Sequence, residues 1–136
     1  MELSNRFEIL IKKIYYINER YNVDATFALL YHEHPLDVNT LGDMIRRSDE
    51  IIEVDAHHYF LVFAFTSQTN AIKACENLLQ KLDHHFNDRS TSIALDSFDT
   101  SRTPQSVLNR LMQILEETRK HSFMRIENEE ILDCRM

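Results

Sequence analysis

The chain has 136 residues, 43% of them apolar and 27% charged, with a net charge of −7 and a pI near 5.4. That length suits one domain with a real core, so residues 1–136 read as a single domain. The acidic balance argues against nonspecific nucleic-acid binding, which needs a field of Lys and Arg, and no apolar run approaches the ~20 residues of a membrane span.

The N-terminal Met1-Glu2-Leu3-Ser4-Asn5-Arg6 has no basic region followed by an apolar core, so no secretory leader is expected. Cys75 and Cys134 stand alone, without CxxC spacing, which reads as two reduced thiols and a cytoplasmic location. One Gly and two Pro leave little room for a flexible linker.

Phe7, Leu10, Ile11, Ile14, Ile17 and Tyr21 recur at spacings of three and four and predict a first helix. The continuous apolar run Ala25–Tyr31 predicts a strand buried on both faces, ended by Pro35. Asp37, Asn39 or Thr40 is suited to cap a short helix carrying Leu41, Met44 and Ile45, with Arg46, Arg47 and Ser48 at its end. Ile51–Val54 and His58–Phe65 read as strands of a hairpin around Asp55-Ala56-His57. Thr66 or Ser67 caps a third helix with Ile72, Cys75, Leu78, Leu79, Leu82 and Phe86 on one stripe. Ser92–Phe98 is a fourth strand, and Thr103-Pro104 opens a helix through Val107, Leu108, Leu111, Ile114, Leu115 and Thr118. Phe123–Ile126 adds a last strand, and the acidic tail from Glu127 to Met136 is either a further helix or a disordered end.

The order α-β-α-β-β-α-β-α-β contains a β-α-β-β-α-β unit. It predicts an α+β, ferredoxin-like fold, an antiparallel sheet with helices on one face and an extra N-terminal helix. That fold hosts unrelated functions, so function has to come from sites.

Several strings, in order, resemble the GGDEF domain of diguanylate cyclases, which has a nucleotidyl-cyclase-like fold. They are Leu3-Ser4-Asn5-Arg6, Ala28-Leu29-Leu30-Tyr31, Arg46-Arg47-Ser48-Asp49, Ile51-Ile52, Asp55 through Val62, Thr91-Ser92-Ile93-Ala94 and the helix through Arg119. The resemblance implies a bacterial signalling domain. It also places Asp55, Ala56, His57, His58 and Tyr59 at the signature positions, and His32 and His57 where the family's metal-binding carboxylates stand. Imidazole suits Mg²⁺ poorly, Ala56 adds a Cβ where a glycine lets the backbone approach phosphate, and Met112 stands at the position of an acid. Between His34 and Arg46 the chain lacks the family's guanine-recognition string, while Arg119 keeps the charge of its phosphate-binding Lys. On this reading the domain is degenerate: it is expected not to be an enzyme, to cyclise no GTP, and to act as a signalling or protein-interaction module, with self-association as a homodimer open.

Two constellations remain. In the family the Arg-x-x-Asp site binds cyclic di-GMP, so the resemblance makes Arg46 and Asp49 candidate ligand-binding residues. A guanidinium forks onto phosphate or guanine, and a carboxylate accepts from the guanine edge. The plain alternative is a solvated helix end with Arg46 at the negative pole of the dipole. The second constellation is His32, His34, His57 and His58, which would hold Zn²⁺ if the hairpin lies beside the first strand; the alternative is exposed polar residues filling a vacated site. Otherwise no cofactor is expected. His84-His85 read as surface residues at a helix end, and Cys75 as a buried inert thiol. Tyr15, Tyr16 and Tyr21 exceed what one core face needs and could leave an aromatic patch for an unknown protein partner.

Overall fold

The computed structural model describes every residue except Met1, Val23, Arg47, Ser48, Ser97, Phe98, Ser122, Arg135 and Met136. The expected helix-end positions Arg47 and Ser48 and strand positions Ser97 and Phe98 therefore lie outside the described residues.

Helix α1 (Glu2–Tyr21) buries the stripe Phe7, Leu10, Ile11 and Ile14, while Tyr16 and Tyr21 stay exposed. Strand β1 (Ala25–Tyr31) is buried at six of seven positions. Helix α2 spans only Val38–Gly42, capped by the Asp37 side chain, which accepts from the Asn39 N–H. Strands β2 (Glu50–Glu53) and β3 (His58–Ala64) form the hairpin. Helix α3 (Gln68–Phe86) starts at a Ser67 cap and ends at Asn87, whose φ of 52° is a left-handed stop suited to Asn. Strand β4 (Ser92–Asp96) leads to α4 (Pro104–His121), where Thr103 Oγ1 accepts from the Ser106 N–H. Strand β5 is Ile126–Glu127, and a 3₁₀ segment, Glu129–Cys134, follows.

The strands lie in the order β2-β3-β1-β4-β5. The first four pair antiparallel, as the β-α-β-β-α-β reading expects, but β5 runs parallel to β4. The expectation of helices on one face is also corrected. Alternate residues of β1 enter two separate cores: Phe27 and Leu29 pack with α1 and α4, whereas Ala28 and Leu30 pack with α2 and α3. An unbroken apolar run in β1 is what a two-sided core requires, because period-2 alternation sends half its side chains to each face. Phe60 anchors the first core edge-on against Phe7, with centroids 4.6 Å apart. Cys75 is fully buried in the second, and burial drives its thiol pKa far up, so it is inert, as expected.

Register fixes the two ends of the sheet. Tyr31 pairs with His58 on one side and Ser92 on the other, so the end of β1, the hairpin and the start of β4 meet. At the opposite end, Glu50 pairs with Val62 and Ala25 with Ala64, which brings Asp49 beside the β3–α3 junction. Among the described residues no helix is long and apolar enough to cross a membrane.

Candidate functional site

At the hairpin end, Asp55 organises the turn. Its Oδ1 accepts from the His57 N–H at 2.8 Å and lies 2.8 Å from His58 Nδ1. Burial alone would raise this carboxyl, but the hydrogen bonds from the His57 N–H and from His58 outweigh it and hold the pKa below its ordinary value. Tyr59 is fully buried; its hydroxyl accepts from the Leu36 N–H at 2.7 Å and lies 2.9 Å from the Leu36 carbonyl, pinning the β1–α2 connection to the hairpin.

The four histidines separate into two groups. His57 Nδ1 lies 3.2 Å from the His32 carbonyl, which can only accept, so that nitrogen carries the proton. The His32 ring turns the other way, with Nδ1 2.7 Å from Thr91 Oγ1. His58 faces Asp55 and the Tyr31 ring, and His34 reaches towards Asp88. Among the described residues no group of three or more His, Cys, Asp or Glu side chains stands ready to hold a metal ion. His32, read as one of a set of exposed polar residues, is in fact fully buried. Its pKa is lowered, first by burial and then by His34, against an upward pull from Asp88.

Beside the hairpin lies a cleft of about 590 Å³ lined by His58, Met112, Glu116, Arg119 and Lys120 among others. The Arg119 guanidinium sits 3.7 Å over the centre of the Tyr31 ring, a cation–π contact that aims a planar cation at the cleft mouth. Sequence reasoning had Arg119 but missed Tyr31 as its seat.

At the other end of β2, Arg46 and Asp49 meet each other. Arg46 Nε donates to Asp49 Oδ2 at 3.2 Å and Nη2 to Oδ1 at 2.9 Å, and Nη2 also reaches Thr66 Oγ1. The Asp49 side chain is 1% exposed and that of Arg46 55%. The carboxylate is thus committed to Arg46, whose pKa is raised by the hydrogen bond to it. What this end offers a ligand is the guanidinium edge, between grooves of about 290 and 360 Å³, the first also lined by Asn77 and Lys81. Helix α2 stops at Gly42, so Arg46 is not a helix-end cation.

No protein-family model and no curated protein matches the chain by sequence. In structure it resembles the GGDEF domain of DgcB from Caulobacter crescentus, solved in complex with c-di-GMP, with a TM-score of 0.73 over 91% of this chain and 86% of that one, at 10% identity. A second structure of that protein, its coiled coil and GGDEF domain with c-di-GMP, gives 0.72 over 90% and 78%, also at 10% identity. The chain has the GGDEF-domain fold. That likeness corrects the expectation that it is not an enzyme. The solved structures that it resembles are GGDEF domains of DgcB, and nothing in that likeness marks the chain as inactive. The expectation of inactivity comes from residue types at the signature positions, at His32 and at Met112, and from the string missing between His34 and Arg46. The GGDEF fold nonetheless keeps the hairpin, the end of β1 and Arg119 of α4 around one cleft.

Proposed function

We propose that the chain is a signalling module of GGDEF fold that binds cyclic di-GMP through Arg46. The observation that carries this reading is the half-exposed guanidinium, locked by a buried carboxylate between two grooves at a sheet end. The GGDEF structures that share the fold hold c-di-GMP, which supports the ligand class. Holding a planar guanidinium in one orientation lowers the entropy lost when it forks onto a phosphate or a guanine edge. Asp49 is the positioning residue in this arrangement, rather than a direct ligand contact. Self-association and a protein partner would be the output of such a module.

Calorimetric titration with cyclic di-GMP tests the reading. Micromolar or tighter binding is expected. It should weaken at least tenfold in Arg46→Gln/Asp49→Asn, a pair that keeps a neutral hydrogen bond in place of the ion pair. Unchanged affinity in that variant, or no heat with the wild type, overturns it.

Arg119 over Tyr31 favours a second reading, a nucleotide triphosphate with its phosphates in the hairpin cleft. GTP binding that depends on Arg119 and not on Arg46 would establish it; GTP binding indifferent to Arg119 would remove it.

A further inference from the structure

The β1–α2 connection and the α3–β4 connection meet at a polar cluster that neither nucleotide reading uses. His32 is fully buried, yet its Nε2 has no hydrogen-bond partner. It lies 3.9 Å from Asp88 Oδ2, too far for a hydrogen bond, and His34 Nε2 lies 3.8 Å from the same oxygen. Leaving a buried ring nitrogen unpaired costs about 1–3 kcal/mol, so its persistence in the fold calls for an occupant. The other face of the ring is closed by Phe86, 4.8 Å away centroid to centroid.

We propose that His32 Nε2, His34 Nε2 and Asp88 Oδ2 form a binding site for a borderline divalent cation of the Zn²⁺ type. The chemistry of the donors fits. Two imidazoles and one carboxylate are a standard zinc set, leaving a fourth position for water. Thr91 Oγ1 lies 2.7 Å and Ser90 Oγ 3.3 Å from His32 Nδ1; in the tautomer that donates Nδ1–H to one of these hydroxyls, as zinc-binding histidines do to a neighbour, the lone pair is on Nε2, facing the carboxylate. A lone pair and a carboxylate facing across a gap repel until a cation lies between them. Zn²⁺ bonds of about 2.0–2.2 Å put tetrahedral neighbours roughly 3.4 Å apart. Each nitrogen therefore has to approach Asp88 Oδ2 by about half an ångström, and the described residues hold no metal group already formed. The two ligands that must move are the freer ones: the side chains of His34 and Asp88 are 63% and 27% exposed, while His32 is the fixed anchor. His57 and His58 are not part of the site, because they face the His32 carbonyl and Asp55.

The test is a calorimetric titration of the metal-stripped full chain with Zn²⁺ alone, alongside Asp88→Asn, His34→Ala and the double variant His57→Ala/His58→Ala. One Zn²⁺ per chain is expected, weakened at least tenfold by Asp88→Asn and by His34→Ala but not by the hairpin double variant. In parallel, the ¹⁵N signal of His32 Nε2 should shift on metal addition in the wild type. No binding, or binding that survives Asp88→Asn and His34→Ala unchanged, overturns the site. Neither substitution touches a core side chain, so loss of binding will not be a consequence of unfolding.

Discussion

Arg46 and Asp49 share one bidentate ion pair in which nearly all the burial falls on the acid, 1% exposed against 55% for the base. The two halves of the pair should therefore be unequal in their effect on stability. Arg46→Ala strands a carboxylate with little water around it, and should cost about 2–3 kcal/mol, below the ~3–5 kcal/mol of a fully buried pair because the guanidinium is half solvated. Asp49→Ala frees an arginine that water can solvate, and should cost about 1 kcal/mol. The double variant should recover much of the Arg46→Ala loss. Urea unfolding of the three variants measures this; equal single losses that add in the double would refute the asymmetry.

Tyr59 gives a second, sharper expectation. Its hydroxyl serves the N–H and the carbonyl of Leu36 at once, inside the structure. Tyr59→Phe keeps the ring packing and removes these contacts together with one to the Ala56 carbonyl at 3.2 Å, so about 1–2 kcal/mol should be lost. The Leu36 amide should exchange with deuterium markedly faster. Unaltered protection there would mean that another group holds the connection.

Much of the architecture is legible because burial and period coincide. The β1 run and the Ser67 and Thr103 caps follow from local rules and stand where the sequence puts them, and the α1 stripe does so from Phe7 to Ile14, while Tyr21, counted in that stripe, is exposed. The last strand is displaced from 123–126 to Ile126–Glu127 because Arg125 takes a φ of 65° and Phe123 and Met124 remain in solvent. Apolar residue type alone does not reveal that. The candidate site is less legible. Arg-x-x-Asp spacing carries no sign that Asp49 is buried and spent on its own neighbour. Asp88 had no sequence signal at all, since it reaches His32 and His34 only through the meeting of two connections far apart in the chain.

Phe65, 65% exposed, follows β3 with a φ of 55°, a backbone region costly for a bulky side chain. Phe65→Gly removes that strain while losing little burial, and the gain is partly offset by the greater freedom of glycine in the unfolded chain. A net stabilisation of about 0.5–1 kcal/mol is expected in urea unfolding. Destabilisation would mean that the ring contributes more against Ile17 and Lys13, with which it lines a small cavity, than its exposure suggests.

Asp55 should make a pH-dependent contribution. Its folded pKa lies below the ordinary carboxylate value of about 3.9, so its stabilising effect is complete above that value and is lost as pH falls through the lower folded one. Asp55→Ala should cost roughly 0.5–1 kcal/mol at pH 7, modest because the group is half exposed. The gap between wild type and variant should shrink steadily as the pH falls below the ordinary carboxylate value. A gap that stays constant would assign the effect to chain geometry rather than to the charge.

Arg119 is held by the face of an aromatic ring, and that separates binding from stability. An exposed cation–π contact contributes about 0.5–1 kcal/mol, so Arg119→Ala should barely alter thermal unfolding. Its guanidinium is nevertheless the planar donor beside a cleft that also holds His58 and Lys120, and Lys120 is already engaged by Glu116 at 3.0 Å. If triphosphate oxygens enter there, Arg119→Ala should weaken GTP about tenfold, or about 1.4 kcal/mol. Arg119→Lys should recover only part of this, because the ammonium keeps the charge but loses the fork and the stacking. Cyclic di-GMP affinity, if carried by Arg46 at the far end of β2, should stay unchanged in both variants. Parallel titrations with the two nucleotides decide between the ends: a loss confined to GTP assigns phosphates to the hairpin cleft, while a loss of cyclic di-GMP in Arg119→Ala would move that ligand to the cleft and away from Arg46.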